Sequence, residues 1–371
     1  MTTPVGKRAR PGAMPWLVAG AACGLISGAC SATAGTTSST AASVSATDDT
    51  GQRITLPRPV RRIVSMAPHA TELLFAAGAG AQVVGVDQYS DVPASVSTLP
   101  RLGDNFRIDI ERIIALRPDL IVLWKDGTPA RQAAQLRRLG IPLFFSGAST
   151  VAGIADDIAA LGRLAGTQAT AAPAAALFRQ RLATLSAAYA ARSPVRVFYQ
   201  VWDRPLYTLN GRQIVSDALR ICGGVNVFAG LAATAPTVST EAVLAQDPEA
   251  VVGTSERGAA GGIFFWRAYP VMRAVRDGHL IVVDGDLLNR AGPRMVEGVA
   301  QLCARLDAVR AKRDGTTVKP LRQPSASSLS SSASPFQSPT SPPTSTPLSA
   351  VQPLLASPSI PRTLPIRWTS A

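Results

Sequence analysis

Short apolar runs alternate with stretches in which apolar positions recur every third or fourth residue. Arg62-Ile63-Val64-Ser65-Met66 reads as a strand, and Thr71 to Ala77 as a helix stopped at Gly78. Val83–Val86 predicts the next strand, 109–116 a short helix, and Leu120–Trp124 another strand. A helix over Pro129–Leu139, closed by Gly140, and a strand at Leu143–Phe145 follow. Such β-α alternation implies a parallel sheet with helices on its faces. Residues 150–192 break the rhythm with Ala, Leu, Arg, Gln and Asp at helical spacing. Two helices are predicted there, the second carrying Pro173 in its first turn and running to about Tyr189. Strand-helix alternation then resumes. Val195–Val201 is a strand, 213–221 a helix ending at Gly223-Gly224, and Leu280–Val283 a strand. A last amphipathic helix runs from Pro293 to about Lys312, with Val296, Val299, Leu302, Cys303 and Leu306 on one face.

One pattern occurs twice. Residues 111–124 and 241–254 both open on a Glu in a short helix, turn at Pro followed by an acid, and enter a buried apolar strand. This predicts an α/β protein of two Rossmann-like lobes, joined by a long rigid α-helix, with a ligand cleft between them. The expected organisation is an export signal over 1–30, a flexible tether over 31–58, and a first lobe over 59–150. Linking helices over 151–193, a second lobe over 194–313 and a disordered Ser/Pro-rich tail over 314–371 complete it.

The first residues carry Lys7, Arg8 and Arg10 ahead of a small apolar run at 14–29, the layout of an export signal. That run ends Ile26-Ser27-Gly28-Ala29-Cys30, similar to a bacterial lipobox with Ser27 where Leu is favoured. Cys30 is therefore the candidate lipidation site, Cys23 the second choice, and simple cleavage with release the alternative. After export only Cys222 and Cys303 remain, and in an oxidising compartment such an isolated pair is a disulfide candidate. The net charge of +13 is scattered, as at Arg61-Arg62 and Arg137-Arg138, with no basic stripe interleaved with aromatics. Nucleic acid is accordingly not an expected partner.

Catalytic patterns are absent from the sequence. The two histidines, His69 and His279, stand at no zinc spacing, and neither a nucleophile elbow nor a phosphate-cradling loop occurs. No catalytic residue, metal or cofactor is expected, and the chain reads as a non-enzyme. The remote alternative is a secreted hydrolase built on His69, Asp87 and Asp91. What the strand ends offer instead is aromatic: Trp124, Trp202, Tyr207, Tyr89, and a patch of Phe264, Phe265 and Trp266. Carboxyl ends of strands in open α/β sheets face the ligand crevice, and rings there suit a large flat or macrocyclic guest. Pro68 and His69, at a strand-helix junction, are further candidate contacts.

The run Ile63-Val64-Ser65-Met66-Ala67-Pro68-His69-Ala70-Thr71-Glu72-Leu73-Leu74-Phe75-Ala76-Ala77-Gly78 closely resembles the substrate-binding proteins that carry cobalamin, haem and iron–siderophore complexes to ABC importers. The likeness continues through Val83–Pro93, Asp109–Trp124, Val195–Gln200, 222–226, Val238–Val252 and Arg290–Leu306. It implies two α/β lobes on a single helix, and its strongest form is to the cobalamin-binding members. By that resemblance Tyr89 contacts the corrinoid, and Asp286, Leu287, Leu288, Asn289 and Arg290 form a loop at the ring edge. That loop is aromatic and acidic at its middle in the cobalamin binders, and Ala235 here stands where they have Trp. Glu111 and Glu241 match the surface glutamates that dock on permease arginines, and Cys222 and Cys303 match the family disulfide. The implied partners are a permease dimer with its ATPase subunits and, if Cys30 is acylated, the outer face of the cytoplasmic membrane. The chain itself is expected to be a monomer in the periplasm or on that face. Haem, with Tyr89 or His69 as axial ligand, and a ferric siderophore, met by Arg290 and Arg294, are the alternative guests.

Overall fold

The structure is a computed structural model, and it describes residues 43–256, 259–260 and 262–315. The export signal with Cys30, the first part of the expected tether and the tail from 316 lie outside the described residues. The first lobe contains β1 (Val44–Thr47), β2 (Arg53–Leu56), β3 (Ile63–Ser65), α1 (Pro68–Ala76), β4 (Val83–Val86), α2 (Ile110–Leu116), β5 (Leu120–Trp124), α3 (Ala130–Arg137) and β6 (Leu143–Ser146). Two helices follow, α4 (Gly153–Ala165) and α5 (Gln168–Tyr189). The second lobe contains β7 (Val195–Gln200), β8 (Trp202–Asp203), β9 (Leu206–Tyr207), α6 (Ile214–Ile221), β10 (Gly224–Asn226), α7 (Thr240–Gln246), β11 (Ala250–Glu256), β12 (Ala259–Ala260), α8 (Arg273–Arg276), β13 (Leu280–Asp284), α9 (Gly285–Leu288) and α10 (Met295–Arg313).

Both lobes have one topology. The first sheet runs β4-β3-β5-β6, all parallel, and the second runs β10-β7-β11 with β13 parallel and the short β12 antiparallel on β11. Buried on both faces, the central strands are continuous apolar runs, as Leu120–Leu123 is in β5. The repeat seen in the sequence is a structural one. Asp109 caps α2 by accepting the Arg112 N–H, and Ser239 caps α7 by accepting the Ala242 N–H. Each helix ends on a left-handed residue, Arg117 (φ 44°) and Asp247 (φ 40°), each followed by Pro. The acid after that Pro then ties the start of the neighbouring central strand. Asp119 accepts the Arg61 and Arg62 N–H groups, and Glu249 accepts the Arg196 N–H.

The spine is α5, whose Ala171, Ala175, Phe178, Leu182 and Tyr189 make a buried stripe. It packs on α1 and α4 at the first lobe and on α6 and α10 at the second, so it belongs to both. Gly162 of α4 permits the approach to α5, since a Cβ there would lie 2.1 Å from that of Ala171. Pro173 sits in the second turn of α5, not the first. Gly166 (φ 72°) ends α4, and the Thr167 carbonyl accepts the Thr170 and Ala171 N–H groups, which starts the next helix early. The predicted disulfide joins Cys222, at the end of α6, to Cys303 in α10.

The tether expected over 31–58 needs correction. Residues 44–56 form the antiparallel β1–β2 hairpin, docked on the end of β6. The Asp49 N–H donates to the Phe145 carbonyl, and the Phe145 and Gly147 N–H groups donate to Asp48 and Asp49. Behind the hairpin tip Asp49 hydrogen-bonds Asp157 of α4, which also accepts the Ser146 hydroxyl. Burial, then the Asp49 charge, push the Asp157 carboxyl up to about 8, so the pair holds a proton that the unfolded chain releases. Stability is therefore expected to fall as pH rises through this range. Between pH 6.5 and 8 the net loss should be about 1 kcal/mol, since completing the deprotonation of the unfolded His69 offsets a little of the Asp157 cost. An Asp157→Asn variant cannot titrate and should lose that slope in denaturant unfolding. Equal slopes in the two proteins would refute the shared proton.

Candidate ligand cleft

The carboxyl ends of the two sheets face one another, and ion pairs cross between the lobes there. Glu72, on α1, is buried at the protein end of this junction. Both its oxygens accept from Arg294, at 2.9 Å from Nε and 2.7 Å from Nη2, a bidentate fork. Arg290 Nη1 lies 3.4 Å from the same carboxylate. Arg290 also donates to Asp91 of the first lobe, at 2.5 Å and 3.2 Å, and pairs with Asp286 of its own loop at 2.8 Å. Burial works against the Arg290 charge, but Asp91, Asp286 and Glu72 hold its pKa above the ordinary value. Burial likewise opposes the charge on Asp91, and the Arg290 hydrogen bond and charge outweigh it, leaving that carboxyl below the usual range. Three carboxylates thus enclose two guanidiniums.

Rings stand on both sides of this network. In the first lobe Tyr89 follows β4 and is 52% exposed, and Trp124 ends β5 and is 37% exposed. The Tyr89 loop is held from beneath. Its N–H donates to Asp87, which accepts the Ser90 hydroxyl, and Ser90 meets Thr71, which donates to Ser65. Trp124 is set by Gly127, where a Cβ would lie 1.8 Å from the ring, and by the His69 ring, edge-on at 6.0 Å. In the second lobe Trp202 pairs with Tyr207 across the β8–β9 hairpin. Trp202 is 54% exposed, its indole N–H donating to the Arg204 carbonyl, while Tyr207 is half-buried.

Other predicted contacts are placed differently. His69 is buried, its Nε2 has no hydrogen-bond partner among the described residues, and burial lowers its pKa to about 4. It supports Trp124 from behind as a neutral ring, and offers no accessible nitrogen as an axial ligand. Pro68 is half-buried as the first residue of α1. Leu288 is wholly buried, because the loop after β13 winds into the short helix α9 and turns that side chain inward. Leu287 is half-buried. Asn289 braces the loop, accepting from the Tyr199 hydroxyl and donating to Thr254. Trp266 is core, stacked edge-on against Phe198, and only Phe264 of its patch is largely exposed. The hydrolase constellation does not assemble, since Asp87 serves Ser90, Asp91 serves Arg290, and His69 bonds the Ser146 backbone. Glu72 was missed by sequence reasoning, although a lone charge in the apolar run of α1 was a visible cue.

Glu111 and Glu241 are exposed in the first turns of α2 and α7. A depression of about 500 Å³ between β13 and α10, and one of about 270 Å³ beside Pro57–Val60, lie away from the strand ends. The candidate cleft is assigned to the strand ends because exposed rings end or follow β4, β5 and β7 and ion pairs join the loop after β13 to the first lobe.

Residues 63–287 match the model of the periplasmic binding protein family. The chain belongs to this family. A vitamin B12-binding protein of Vibrio cholerae is 40% identical over 258 residues, covering 69% of this chain and 93% of that protein. One of Yersinia pestis is 36% identical, covering 69% and 90%. The crystal structure of the periplasmic vitamin B12 binding protein of Vibrio cholerae aligns with a TM-score of 0.64, over 68% of this chain and 98% of that one. A periplasmic haem-binding protein of Pseudomonas aeruginosa aligns with a TM-score of 0.59 at 27% identity, over 71% and 96%. Tyr89 and Arg290 stand on the loops after β4 and after β13 with its short helix α9, and the helices α4 and α5 come between the two lobes in the chain. No helix among the described residues is long and apolar enough to cross a membrane.

Proposed function

We propose that this periplasmic binding protein captures cobalamin or a related corrinoid outside the cytoplasmic membrane and delivers it to an ABC permease. It performs no chemistry on its guest. Tyr89 and Trp124 of one lobe and Trp202 and Tyr207 of the other supply flat faces for the ring system, and desolvating that surface provides the affinity. Glu111 and Glu241, one per lobe, dock on basic groups of the permease, whose ATPase subunits supply the energy. A lipid on Cys30 would keep the folded part beside that permease.

The observation that carries the choice of guest is that the two guanidiniums at the strand ends are already paired with carboxylates. Haem brings carboxylates, and many ferric siderophores are anionic, so both call for uncompensated cations. Arg290 and Arg294 are already matched by Glu72, Asp91 and Asp286. A guest whose rim is neutral amide, as a corrinoid's is, meets such a surface without bringing further negative charge to it. Absorption spectra taken after incubating the purified chain with cyanocobalamin, haemin or a ferric siderophore, followed by gel filtration, test this. Cobalamin absorbance should travel with micromolar protein, and the other two should not. A retained Soret band with no retained cobalamin would reverse the assignment.

A further inference from the structure

We propose that Glu72 is a positioning residue that fixes the spacing of the two lobes before any ligand arrives. Its carboxylate is 3% exposed and sits on α1 between the buried Ala70 and Leu73. From there it grips two guanidiniums of the other lobe, Arg294 by a fork and Arg290 at 3.4 Å, across sequence separations of 222 and 218 residues. Gly292 lies against the grip, and a Cβ there would stand 3.3 Å from Glu72 Oε2, a tight contact. A buried ion pair contributes little net stability, since desolvation offsets the attraction, but its fork geometry admits one arrangement. The role that fits is register. With Glu72 in place the rings of the two lobes face each other at a set distance, and the guest need not pay for ordering them. The Asp91–Arg290 pair is different in kind. Asp91 is 56% exposed, so this outer pair can open to admit a guest while the inner one stays closed.

The distance between nitroxides on Ile114→Cys and Val225→Cys, exposed positions of opposite lobes, reads the spacing directly. Pulsed electron resonance would be run on the full chain with Cys23 and Cys30 replaced by Ser. Without ligand, a single narrow distance is expected, and Glu72→Gln should broaden it in a chain that circular dichroism shows to be folded. Arg294→Gln should broaden it equally, and the double variant should add nothing further. Asp91→Asn should leave it narrow. Unchanged distributions in both Glu72→Gln and Arg294→Gln would overturn the proposal. If Glu72→Gln does not fold, the Arg294→Gln result decides alone, because Arg294 is partly exposed and Arg290 at 3.4 Å still faces the Glu72 carboxylate. A second arm rests on the cobalamin reading: dissociation of cyanocobalamin should be roughly tenfold faster in Glu72→Gln. Broadened distances in a protein that binds no cobalamin would sustain the role of Glu72 and remove only the ligand, so the two readings fail separately.

Discussion

Replacing Cys222 and Cys303 together by Ala is expected to lower the unfolding free energy by about 4 kcal/mol, the largest effect of any change considered. The bridge spans 81 residues of sequence, so it removes much of the freedom of the unfolded second lobe. It also joins α6 to the middle of α10, the helix whose Met295, Val299, Leu302 and Leu306 close that lobe's core. Denaturant unfolding of the double variant, or of the parent with and without reductant, measures the loss. Ligand affinity should change little under native conditions, because the bridge lies away from the strand ends. A loss below about 1 kcal/mol would mean that packing between α6 and α10 already constrains the unfolded chain.

Trp124→Ala should weaken cobalamin binding by roughly thirtyfold, or about 2 kcal/mol, with the fold intact. The ring lies at the carboxyl end of β5, its orientation set by Gly127 and His69. Because the site is preformed, truncation removes contact area and gains nothing back from relaxation. Trp124→Phe keeps a flat face and should recover most of the loss. The measurement is a titration followed by intrinsic fluorescence or calorimetry, beside a thermal melt. An unchanged dissociation constant would place the guest elsewhere.

The periodicities that exposed both lobes also explain what escaped notice. Parallel strands buried on both faces write themselves as apolar runs, so β3, β5, β7 and β11 were legible, and so was the doubled helix-Pro-acid-strand unit. The β1–β2 hairpin was not. Val44, Ala46, Ile54 and Leu56 alternate with Ser, Thr and Arg, but the small side chains and the neighbouring Ser/Thr-rich stretch made the segment look like linker. Its cue was the Asp48-Asp49-Thr50-Gly51 turn, with Gly51 at φ 83°. The letters leave the place of Trp266 open, because an aromatic near a strand end looks the same whether it faces a cleft or Phe198. Leu288 was misjudged because nothing in the letters shows that α9 turns it inward. The ion pairs of Glu72 depend on residues more than two hundred positions away, and only the folded chain brings them together.

The proposed holder for one flat, amide-edged chelate rests on two rings in each lobe and on guanidiniums already paired with carboxylates. Isothermal calorimetry of the purified chain with cyanocobalamin tests that most directly. One guest per chain with sub-micromolar affinity is the expected result, and a folded chain that releases no heat and retains no cobalamin would contradict it.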